Sequence, residues 1–166
     1  LLPEHSTLYK DLLYGFDLLC HRVIKVNGRY CITPDFFRSA YWGGRLDGTI
    51  VYSETCEFYG MDGSVDLAMA DALLAGGAEA VVGFVNNVYA VYARSMLWAT
   101  VNFMIAGDPV ATAVQRSMDL YGTDDLIWYH SQGGRRPHAA AAYPLIQGRA
   151  DAVLPTLPAP APQQAA

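Results

Sequence analysis

Charge, cysteine and long apolar runs are all scarce in this chain. Charged residues are 16% of its 166 positions, and 16 acidic against 11 basic residues leave a net charge of −5. Nucleic-acid binding proteins carry a basic face, so that partner class is not expected. No apolar stretch is long enough to cross a bilayer, so no membrane span is expected. The three cysteines are Cys20, Cys31 and Cys56, with no Cys-x-x-Cys pair. That pattern argues against a disulfide framework or a structural zinc site, and makes each thiol first of all a small buried hydrophobe. No GxGxxG or Walker loop is present, and Gly76-Gly77 closes a helix instead of opening one, so nucleotide binding has no motif behind it.

What the chain does hold is core material. Hydrophobic residues make up 52% of it, enough for one ordinary α/β domain and too much for a disordered chain. The chain begins Leu1-Leu2-Pro3-Glu4, without an initiator Met or a signal-peptide pattern. Six of the nine prolines lie from Pro137 onward. Residues 1–134 are therefore expected to form the α/β domain, cut at its N-terminus, and residues 135–166 a disordered Pro/Ala-rich tail.

Turn and cap signals divide the domain. Tyr14–Cys20 reads as a strand, an apolar run interrupted by Gly15. Asn27-Gly28 between two β-rich runs predicts a hairpin, because a type I′ turn needs positive φ at both central residues. Thr33-Pro34-Asp35 predicts a helix start, with proline in the first turn, running through Phe36, Phe37 and Ala40. Thr49–Thr55 is rich in β-branched and aromatic residues and reads as a strand ending at Cys56. Ser64 is a candidate N-cap for the next helix, whose apolar positions 65, 68, 69, 72 and 73 share a face. Glu79–Val85 is a continuous apolar run of the central-strand type. Val88–Ile105 predicts a helix packed on the sheet, with Tyr92, Trp98 and Phe103 as core aromatics. A second helix runs from Asp108-Pro109 to Leu120, and Asp125–His130 reads as a last strand. Alternation of this kind predicts a mostly parallel, doubly wound sheet with helices on both faces.

Ligands and catalytic groups in such sheets gather at the carboxyl ends of strands. His21 follows the first predicted strand, and Cys56 follows the Thr49–Thr55 strand 35 residues later. One crossover fits in that interval, and adjacent strands lie roughly 5 Å apart, so the two side chains could approach. A helix N-terminus after the Cys56 loop, with a nearby imidazolium, would favour the thiolate. A thiolate attacks acyl carbons, and a histidine can hand its proton to the leaving amine.

Three stretches carry a family resemblance. They are Phe16–His21 (FDLLCH), Asp47–Glu57 (DGTIVYSETCE) and Ala72–Gly83 (ALLAGGAEAVVG), followed by Gly107–Ala113 (GDPVATA). Over about residues 12–130 this layout resembles the caspase-like cysteine peptidases, the bacterial gingipain-like and clostripain-like branches most closely, with legumain-like phrasing around Cys56. The resemblance implies a three-layer caspase-like fold and cysteine endopeptidase activity on peptide or protein substrates, with no metal or organic cofactor required. It implies His21 as the proton-shuttling member of a dyad and Cys56 as the nucleophile, with a backbone oxyanion hole drawing partly on the Cys56 amide. It also implies one or two strand–helix units upstream of residue 12.

The sequence departs from the family in three places, one of them Cys20 directly before His21, where small or polar residues are more usual. Arg22 stands where members carry Gly after the histidine, and the caspase Gln-Ala-Cys-x-Gly phrase is replaced by Glu54-Thr55-Cys56-Glu57-Phe58. The resemblance puts Arg22 and Glu57 beside the oxyanion and substrate; for Glu57 an exposed loop position is the competing reading. Asn86 and Asn87 follow the central strand, where the resemblance puts substrate-pocket residues; ordinary turn chemistry is the competing reading. A catalytically degenerate caspase-like binding or scaffold module is the first alternative, motivated by Arg22. An unrelated flavodoxin-like binder of a small ligand is the second.

Overall fold

The computed structural model describes residues 11–155. Its frame is a three-stranded mixed sheet in which residues 80–85 lie between residues 50–52 and residues 143–148. Strand β6 (Ala80–Val85) lies at the centre, and all six of its residues are buried. Its even positions Ala80 and Val82 join one core cluster and Phe84 another, while Val81 and Val85 join the cluster on the opposite face. A strand covered on both faces has no solvent side to mark with polar residues, which is why Glu79–Val85 reads as an unbroken apolar run.

β3 (Ile50–Tyr52) pairs parallel with β6, in the register Ile50↔Ala80, and is shorter than the predicted Thr49–Thr55. β7 (Tyr143–Gly148) pairs antiparallel along the whole of β6, from Ala80↔Gly148 to Val85↔Tyr143. This corrects the expected boundary at residue 134. The segment assigned to a disordered tail supplies a strand of the main sheet, and Ala152 beyond it is buried in the core. Pro144 is tolerated because β7 is an edge strand, where one row of backbone groups has no ladder to complete. The rest of the expected tail, residues 156–166, lies outside the described residues.

Helices cover both faces. On one side are α4 (Ala90–Ile105) and α5 (Val110–Tyr121). The buried positions of α4 are Tyr92, Ala93, Met96, Thr100 and Met104, a stripe at helical spacing. Trp98 is off that stripe and 63% exposed, against the expectation that it joins the core. Phe103 is half-buried, and the Arg116 guanidinium sits 4.0 Å from its ring centroid. On the other face are α2 (Pro34–Ala40) and α3 (Ala68–Ala75), with Ala70 and Leu73 buried against Val81. The sheet is thus mixed, one parallel and one antiparallel pair, where a mostly parallel one was expected.

Three further elements differ from the sequence reading. Tyr14–Cys20 is not a strand. It contains α1 (Gly15–Leu19), and Phe16 and Leu19 are 69% and 81% exposed. A short apolar run carries no period that separates helix from strand. The predicted hairpin does form: β1 (Val23–Val26) and β2 (Arg29–Ile32) turn at Asn27-Gly28, both at positive φ, but they make their own two-stranded sheet. Ser64 belongs to a second small hairpin, β4 (Gly60–Met61) with β5 (Ser64–Val65), and α3 begins only at Ala68, whose N–H is accepted by Asp66. The last predicted strand is α6 (Asp125–Ser131), capped by the Asp124 carboxylate on the N–H groups of Leu126 and Ile127.

Candidate functional site

β3 and β6 run parallel, so their carboxyl ends open on the same side of the sheet. The chain leaving β3 does not cross away at once. It is laced along the end of β6: Ser53 N–H bonds Val82 O, Glu57 N–H bonds Asn86 O, and Tyr59 N–H bonds Phe84 O. Phe58 can lie against the strand because position 83 is glycine, and a Cβ there would collide with the Phe58 ring. This lacing presents Cys56 to solvent, with its thiol donating to Val88 O at 3.5 Å. The Cys56 N–H makes no hydrogen bond among the described residues.

Around Cys56, three of the expected site residues, Glu57, Asn86 and Asn87, serve the loop. Glu57 takes a left-handed φ of 55°, and its carboxylate accepts from Asn87 Nδ2 at 2.8 Å. Asn86, at φ 66°, is only 1% exposed. Its Oδ1 accepts from Asp62 N–H, and its Nδ2 donates to the Asp62 carboxylate and to Ala141 O. Every polar atom of that amide is engaged inside the protein, so Asn86 fastens β6 to the β4–β5 hairpin and to the approach to β7. The Tyr143 hydroxyl donates to the same Asp62 carboxylate, and that bond holds its pKa above the usual phenol value.

His21 is on another element. It occupies the exposed turn between α1 and β1 at a left-handed φ of 56°, and Thr33 Oγ1 donates to its carbonyl. The strand-end position beside β3 that was expected for it is not formed, since α1 replaces the strand and β1 pairs only with β2. The hairpin that follows His21 nevertheless faces the Cys56 loop across a groove of about 500 Å³. Cys31 and Ile32 form one wall, and Ser53, Thr55 and Phe58 another. Arg22 is tied down: its guanidinium pairs with Asp17 at 2.6 Å and lies over the Phe16 ring, and its N–H donates to Asp17 O. Cys31 is half-buried and Cys20 exposed, so neither is the enclosed core thiol expected.

A fully buried carboxylate, Asp125, and its partner His138 are not among the residues that the sequence singles out. Asp125 has no exposed surface. Its carboxylate accepts from Tyr89 N–H, from Ala142 N–H and, at 3.0 Å, from His138 Nε2. The His138 ring stacks on Tyr89, which stacks on Tyr129. From the sequence, His138 falls in the expected tail and Asp125 in the expected last strand. The consecutive Asp124-Asp125 was the available signal, since a cap is followed by an acid in the first helical turn. No group of three or more His, Cys, Asp or Glu that could hold a metal ion occurs among the described residues, nor any helix long and apolar enough to cross a membrane. Set beside known proteins, the chain matches no family model, no curated protein and no solved structure.

Proposed function

We propose that this chain is a caspase-like cysteine peptidase domain acting on peptide or protein substrates. One observation carries the reading: the Cys56 thiol is exposed where β3 and its parallel neighbour β6 both end, the edge at which α/β sheets gather catalytic groups. A groove beside it gives a substrate somewhere to lie.

In the reaction, the Cys56 proton passes to the His21 imidazole and the thiolate adds to the peptide carbonyl. The free Cys56 N–H is available to the oxyanion. Collapse breaks the C–N bond, the amine leaves with the proton from His21, and an acyl thioester remains. Water then hydrolyses the thioester, releasing the acid and restoring the thiol. His21 lies in the turn that leads into the β1–β2 hairpin, and Cys31 and Ile32 of that hairpin line the groove.

A second reading is a non-catalytic relative that binds peptides without cleaving them. The Arg22 N–H favours it, because the amide after the histidine is spent on Asp17 O and cannot serve an oxyanion. Alkylation separates the two. The peptidase reading expects Cys56 to react with iodoacetamide at least about tenfold faster than Cys20 and Cys31 at pH 6, and His21→Gln to remove the advantage. Equal rates at the three thiols, with no peptide hydrolysis sensitive to Cys56→Ala, would leave the binding module.

A further inference from the structure

β3 is an edge strand of the main sheet. Ser53 N–H bonds Val82 O, and Thr49 O accepts from Glu79 N–H. A parallel ladder engages alternate residues, so positions 49, 51 and 53 serve β6, and the N–H and C=O groups of Ile50 and Tyr52 face outward. They have no partner strand among the described residues. The groove runs beside this open edge, and Val51, Tyr52 and Ser53 all line it. Its remaining surface is set by groups such as Leu46, Met69 and Leu73, and among the described residues no Asp, Glu, Lys, Arg or His contributes. Thr55 and Phe58, the residues flanking Cys56-Glu57, reach into the same space.

We propose that the open edge of β3 takes up an extended peptide as an added strand, with one large apolar side chain entering the groove beside Cys56. Main-chain pairing supplies affinity in such complexes, and the pocket for alternate side chains supplies selectivity. A charged side chain would lose its hydration in this groove without meeting an opposite charge, so acidic and basic residues are rejected. A volume of about 500 Å³ accommodates an aromatic ring with room for the neighbouring backbone. This selectivity deepens the peptidase reading and rests on it for the identity of the bound peptide as substrate.

The test uses three peptidyl chloromethyl ketones that differ only in the residue bearing the reactive group: Phe, Asp or Lys. Alkylation of Cys56 in the full chain is followed by mass spectrometry and divided by its iodoacetamide rate, which removes thiol reactivity from the comparison. The Phe probe is expected to exceed the other two by about tenfold or more, the scale on which pockets discriminate side chains. Met69→Lys and Leu46→Lys are each expected to reduce that ratio, and N-methylation of the probe backbone to reduce it further. Ratios within about threefold of one another, or preferential labelling of Cys31, would overturn the proposal. So would sedimentation showing that a second copy of the chain occupies the edge and blocks the probe. Strong Phe selectivity at a Cys56 that iodoacetamide finds unreactive would uphold the groove and count only against the peptidase reading.

Discussion

Asp124 and Asp125 are chemically identical neighbours with different tasks. The first caps a helix from the surface, and the second lies wholly inside. A buried carboxylate is tolerated only when its lone pairs are met, and Asp125 is met by two backbone N–H groups and by His138. Replacing it with Ala strands those donors in the interior. Asp125→Ala is expected to cost about 3–5 kcal/mol, read as a lower urea midpoint at unchanged m-value. A loss under about 1 kcal/mol would mean that water replaces the carboxylate. The bond between His138 and Asp125 spans 13 residues and depends on how the loop before β7 folds back, so neither side chain announces it locally. Cys56 is the opposite case. Its position after the β-rich run 49–55 was legible from composition, whereas its exposure follows from the lacing of the next residues onto β6.

At the scale of elements, the sequence was read well where local chemistry is decisive. Asn27-Gly28 made its hairpin, and Thr33-Pro34 opened α2. It was read poorly where two structures satisfy the same composition. GFDLL became a helix, and DLIWYH followed its cap into a helix although it is rich in strand-favouring residues. The relation between β6 and the Cys56 loop is also an element-scale matter. Gly83 leaves the space that the Phe58 ring fills, and Phe58 seats the turn two residues after Cys56. Gly83→Ala puts a methyl into that ring. The expected result is a loss of about 1–3 kcal/mol from overpacking, together with faster hydrogen exchange at Glu57 and Tyr59. Loss of stability with unchanged exchange at those amides would show that the strain is absorbed elsewhere.

The whole molecule is organised around a central strand whose two partners lie on either side of it in sequence. β3 precedes β6 by a small hairpin and one helix, while β7 arrives about sixty residues after β6 and closes the sheet from the far side. A chain ended at residue 134 therefore loses the β7 ladder, the cover over one edge of β6 and the Ala142 donor to Asp125. Such a truncation is expected to abolish cooperative urea unfolding and near-ultraviolet circular dichroism, even though it keeps Cys56 and His21. A cooperative transition in the truncated chain would show that β7 is dispensable.

By itself the sequence determined the α/β class, the central strand, the helix phrasing around it and the thiol at a strand end. Each follows from local composition, periodicity or turn chemistry. Only the tertiary structure decided that β7 belongs to the sheet, that the His21 hairpin stands apart from it, and that Asn86 and Asp125 are internal fasteners. Those outcomes depend on contacts between residues far apart in the chain. Closing such contacts is governed by the burial and hydrogen bonding of the finished fold, which no local window of sequence contains.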